Sequence, residues 1–172
     1  MAGKKIIILI CVLLSTVLLH AQTKQLLQKQ INDLLQTAKG KTIDLFNVRN
    51  YGAYDRYKIT ITKIAFEDSV IKWKENRLNI YDGEKAKPYP VPCKISNIHW
   101  KNFVSATINS RQGDLYVTEV IVSFSDTPNA GTQGKKEDNL FIKQNNISLY
   151  VAKDKAEALK KTLEQWALLF EK

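Results

Sequence analysis

Cys93 and His99 have the side-chain chemistry of a nucleophile and its base. A cysteine nucleophile needs an oriented imidazole within hydrogen-bond reach. Six residues apart on an extended segment, the two side chains share a face but stand roughly 20 Å apart, at ~3.3 Å per residue. They meet only if the chain folds back, and His99 beside Trp100 reads more simply as a sheet residue. The other cysteine and histidine, Cys11 and His20, belong to the N-terminal segment. If that segment is removed, one of each remains. That set builds neither an internal disulfide nor an ordinary structural zinc site. Cys93 therefore reads as a buried, inert thiol. The 17 carboxylates show no diagnostic spacing, and an acid/base pair of the glycosidase kind is defined in space. A Gly-x-Ser-x-Gly elbow, a His-Glu-x-x-His pair and a phosphate-cradling glycine loop are all missing from the sequence. The sequence gives reason to expect no catalytic residue, no metal and no cofactor.

Cationic side chains are the commoner signal. Lys58, Lys72, Lys74, Arg77, Lys94 and Lys101 fall at polar positions of the predicted sheet and are the candidate contacts for an anionic surface. Such a face attracts acidic partners through its field. The competing reading is a sheet kept soluble by lysine. Lysine outnumbers arginine here, which argues for point charges rather than bidentate phosphate clamps. The partner is open at this stage: an envelope protein, an acidic polysaccharide or an anionic membrane surface. Nucleic acid is not expected, since no recognised binding motif accompanies the charge.

The chain starts with Lys4 and Lys5, then an apolar run from Ile6 to Leu19, then His20, Ala21 and Gln22. Charge, apolar core and small residue in that order form the layout of a secretory signal peptide cleaved near Ala21. The run is shorter than the ~20 apolar residues of a comfortable membrane span. Residues 1–21 are thus expected to be the signal, and 22–172 one exported domain, periplasmic or extracellular. Removing Lys4 and Lys5 from 26 basic residues against 17 acidic ones leaves a formal charge of +7.

These residues need a scaffold. Leu27, Ile31, Leu34 and Ala38 recur at helical spacing, with Leu26 and Leu35 beside them, and predict a helix over 22–39 stopped by Gly40. From Tyr57 the period becomes two, and the sheet is expected over 57–152. Ile59 and Ile61 lie on one phase, Ile64 and Phe66 on the other, which predicts a bulge near Lys63. Glu75-Asn76, Asp82-Gly83 and Arg111 to Asp114 read as turns, and Pro88, Pro90 and Pro92 as a loop or edge segment. Ser125 to Asn139 reads as a polar, mobile loop. Asp154 with Glu157 three residues on suggests a capping box, and Ala156, Leu159, Leu163, Trp166 and Phe170 an amphipathic helix over 154–171. The fold class is α+β: an N-terminal helix, an antiparallel sheet or partly open barrel of six to seven strands, and a C-terminal helix packed on the sheet.

The strand Ile147-Ser148-Leu149-Tyr150-Val151, then Lys155-Ala156-Glu157-Ala158-Leu159 opening a helix with Trp166, resembles the close of a pleckstrin-homology-like domain. The resemblance covers roughly Tyr57 to Phe170. It implies a binding or scaffolding module. Lipid-binding members of that family hold inositol phosphates with basic residues around the first hairpin. Here that turn is Glu67-Asp68-Ser69, so no binding residue carries over. The expected function is a non-enzymatic binding or interaction module. The alternative is a carrier of a lipid or other apolar ligand between sheet and C-terminal helix. A carrier needs a cavity of a few hundred cubic ångströms, and it fails if Leu159, Leu163 and Trp166 fill the sheet face.

Overall fold

The computed structural model describes residues 21–48, 54–80, 87–109, 116–132, 142–143 and 145–171. Residues 1–20 of the expected signal segment 1–21 and the expected turns at Asp82-Gly83 and Arg111 to Asp114 lie outside them.

The N-terminal helix, α1, runs over 21–36 and unwinds through a turn to residue 40. Leu27, Ile31, Leu35 and Ala38 are its buried stripe, while Leu26 is left outside. Gly40 adopts φ +75, a conformation glycine enters without a Cβ penalty, and so ends the turn and starts β1. The strands described are β1 (Thr42–Val48), β2 (Tyr54–Glu67), β3 (Val70–Asn79), β4 (Tyr89–Ser96), β5 (Phe103–Asn109), β6 (Val117–Phe124), β7 (Asn129–Thr132), β8 (Ile142–Lys143) and β9 (Asn146–Ala152); α2 (Ala156–Leu168) closes the chain. They form two antiparallel sheets: a five-stranded first sheet in the order β1-β2-β3-β4-β7, and a four-stranded second sheet in the order β5-β6-β9-β8. The α+β class and the placement of both helices agree with the sequence. The strands exceed the expected six to seven: β1 lies ahead of the expected sheet and pairs with β2, the two-residue β8 pairs with β9, and β7 returns over long range to pair with β4.

One hydrophobic cluster takes residues from both sheets and both helices. α2 packs on β5, β6 and β9. Its Leu159, Leu163 and Trp166 are fully buried. Trp166 meets Phe66 edge-on at 5.1 Å and Trp100 at 6.3 Å between ring centroids. The helix has a different entry from the expected capping box. A 3-10 turn, Lys153–Lys155, precedes it, no side chain caps its first turn, and Asp154 pairs with Lys155 instead.

Three further features position the sheet. The bulge expected near Lys63 is present: the β2–β3 register shifts between Ile61 and Lys63. Beyond Thr60 β1 no longer pairs with β2, and α1 covers the exposed edge. Asn32 donates to the Phe66 carbonyl at 2.9 Å and accepts from the Phe66 N–H at 2.8 Å, as a neighbouring strand would. Gln36 donates to the Ile64 carbonyl and the Gly40 N–H to that of Ile61. An open strand edge is thereby closed against pairing with another chain.

Two expectations are corrected. Glu75-Asn76 is no turn: β3 passes straight through it, with Ile71, Trp73, Glu75 and Arg77 alternating inward. Ser125 to Asn139 is not wholly loop, since residues 129–132 pair with β4 as β7. The prolines obey their chemistry. Alternate residues point their N–H groups to one side, and β7 pairs with β4 only from Cys93 onward, so Pro90 and Pro92 lie where β4 has only β3 beside it among the described residues.

Candidate anion-binding face

Cross-strand partners share a face of a sheet. In the first sheet Lys63 pairs with Lys74, and Lys74 with Pro92; Ala65 pairs with Lys72, and Lys72 with Lys94. These residues form two adjacent rows on the outer face, opposite the buried Ile64, Phe66, Ile71 and Trp73. They border one open groove of about 480 Å³, whose wall also includes Glu67. The lysine side chains are exposed, and Ala65 and Pro92 stand partly buried between them.

The bulge makes this arrangement possible. Ile59 and Ile61 face the core, so unbroken alternation would send residue 63 inward. The extra residue resets the phase, puts Ile64 and Phe66 inside and turns Lys63 outward next to Lys74. No carboxylate among the described residues pairs with Lys63, Lys74 or Lys94. Lys72 alone has a partner, the Glu67 carboxylate at 2.6 Å, with both side chains about half exposed.

Of the six residues singled out in the sequence, the structure brings Lys72, Lys74 and Lys94 together around the groove. Lys58 is on the same face of β2 but pairs with Leu78, beyond the intervening Thr60–Asn76 pair. Lys101 is exposed in the 3-10 turn Trp100–Asn102 that leads into β5. Arg77 is elsewhere altogether, on the inner face with 2% exposure, where it cannot touch a surface ligand. Lys63 was missed, although the phase change that places it was legible.

Arg77 belongs to an interior polar cluster. Its Nε and Nη2 donate to Glu75 Oε1 at 2.9 and 2.7 Å, while Trp73 Nε1 donates to Glu75 Oε2 at 2.9 Å. The Glu75 carboxylate is fully buried, and its pairing explains how β3 carries two ionic residues on its inner face. Cys93, opposite Trp73 in β4, is buried beside them. Burial first, and the Glu75 charge second, push its thiol up to about 12, so it holds its proton at neutral pH. His99 has a different partner, the Asp126 carboxylate at 2.8 Å from Nδ1. That hydrogen bond holds Asp126 below its ordinary carboxylate value. Cys93 and His99 thus serve separate local contacts. No group of three metal-ligating side chains occurs among the described residues.

Comparisons with known proteins add no assignment: no family model, no curated protein and no solved structure matches this chain.

Proposed function

We propose that the protein is an exported, non-enzymatic binding module that takes a polyanionic ligand on the outer face of its first sheet. The observation that carries this reading is the convergence of Lys63, Lys72, Lys74 and Lys94 on one groove. Like charges directly opposite one another destabilise a sheet, and here Lys63 opposes Lys74 and Lys72 opposes Lys94. An ordinary solvated face intersperses both signs. An anion laid across the two rows relieves the repulsion. The export part rests on the order of Lys4, Lys5, the apolar run and Ala21.

The interior gives a carrier no comparable support. The gap between the sheets lined by Ile61, Ile64, Ile71, Trp73 and Leu149 is about 10 Å³, and Leu159, Leu163 and Trp166 are fully buried. Apolar ligand would have to displace them.

Titration with dextran sulfate at several salt concentrations tests the proposal. Charge-driven binding is expected to weaken steeply between about 50 and 200 mM salt, as counterions screen the lysines. Affinity that is absent at low salt, or indifferent to salt, refutes it.

A further inference from the structure

The Glu67 carboxylate sits inside the groove, within hydrogen-bond distance of a lysine that would otherwise be open to a ligand. We propose that Glu67 is an internal stand-in for the ligand's own anionic group, and that the ligand is a short stretch of carboxylate-bearing polysaccharide, which displaces Glu67 from Lys72. The inference rests on the binding reading above and gives it a ligand class.

Three observations point to that class. The contact surface is a groove of about 480 Å³, open to solvent and of a volume that suits a small molecule or a few units of a chain. A membrane plane would ask for lysines on a protruding surface. The cations are all lysine, and Ala65 and Pro92 give the groove small apolar ground between them. Point charges beside small apolar ground suit a sugar ring that carries a single charge, which a lysine meets without the bidentate geometry that an arginine fork offers to carboxylate and phosphate alike. Finally, a carboxylate already occupies the site: Glu67 shows that this group fits Lys72 at 2.6 Å.

The arrangement also sets a selectivity. A lone carboxylate at Lys72 only exchanges with Glu67 and gains little. A chain carrying several carboxylates meets Lys63, Lys74 and Lys94 at the same time, which have no such internal partner among the described residues. Glu67 thereby discriminates against small monoanions at Lys72.

The test compares the protein with its Glu67→Gln and Glu157→Gln variants, titrating each with hexagalacturonate, with acetate and with phosphatidylglycerol vesicles. Glu157 is exposed on α2, so its replacement changes net charge equally without touching the groove. Glu67→Gln is expected to tighten hexagalacturonate binding by up to about fivefold, the ceiling for an exposed pair, and Glu157→Gln to leave it unchanged. Equal effects of the two substitutions would overturn the role of Glu67, while salt-sensitive binding would leave the lysine groove standing. Binding to the vesicles but not to hexagalacturonate would overturn the ligand class. Failure of every polyanion, dextran sulfate included, would overturn the binding reading itself.

Discussion

Replacing Glu75 with alanine removes three hydrogen-bond acceptor contacts at once: those from Trp73 Nε1, Arg77 Nε and Arg77 Nη2. The guanidinium is 2% exposed and cannot turn to water for compensation without disturbing the inner face. Breaking a buried pair by deleting one partner costs about 3–5 kcal/mol, most of it from the charge left behind. That is a large fraction of the ~5–15 kcal/mol that holds a domain folded. Removing both charges has a different outcome. Glu75→Leu with Arg77→Met replaces the pair by apolar side chains, and such replacements are neutral or stabilising. Urea unfolding followed by tryptophan fluorescence measures all three proteins, and Trp73 reports the site directly. The expected order places Glu75→Ala lowest, with the double variant within about 1 kcal/mol of the parent or above it. If Glu75→Ala loses less than about 1 kcal/mol, the pair does not hold the buried charge and the reasoning fails.

Asn32→Ala should destabilise by about 1–3 kcal/mol, since it leaves the Phe66 N–H without its partner while the carbonyl keeps only the Gln28 amide at 3.3 Å; hydrogen exchange at Phe66 should accelerate, and an unchanged rate would show that α1 does not close that edge. The Cys93 thiol, tested in a Cys11→Ser background, should resist a disulfide reagent at pH 8 until urea unfolds the chain; free reaction of the folded protein contradicts its burial. Its raised pKa means that the stability it contributes is full below the ordinary 9.0 and falls as pH rises from there toward about 12. Asp126 has the opposite sign. Its depressed pKa contributes stability above the ordinary 3.8, lost as pH falls through the lower folded value. Asp126→Asn should therefore be less stable than the parent at pH 6 and should converge with it on acidification, as read from urea midpoints across the acid range; a constant gap would show that titration of this carboxylate is not responsible.

Elements with a local period were legible in the sequence. The α2 stripe from Ala156 to Trp166 needed only helical spacing, and the bulge near Lys63 followed from the phase change between Ile61 and Ile64. Polar residues that face inward were not. Hydropathy reads Glu75 as outward, and the resulting break in the pattern mimicked a turn, although β3 is continuous. Arg77 reads as a surface cation for the same reason: its partner is two residues away on the same face, but nothing in the sequence shows what covers that face. Asn32 gave no signal either, because the edge it closes is 34 residues away. The candidate site was half legible. Lys72, Lys74 and Lys94 stood at alternating positions, but only the β2–β3–β4 register brings them together and adds Lys63.

The most direct measurement of the central claim removes equal charge from two places. Lys63→Gln, Lys74→Gln and Lys94→Gln together strip the groove of lysines that have no carboxylate partner among the described residues. Lys58→Gln, Lys101→Gln and Lys161→Gln together remove the same charge from exposed positions that do not line it. With each contact worth up to about 1 kcal/mol, the first set should weaken hexagalacturonate binding roughly tenfold to hundredfold and the second only a few-fold. Equal losses from both sets would mean that net charge, and not the groove, attracts the ligand.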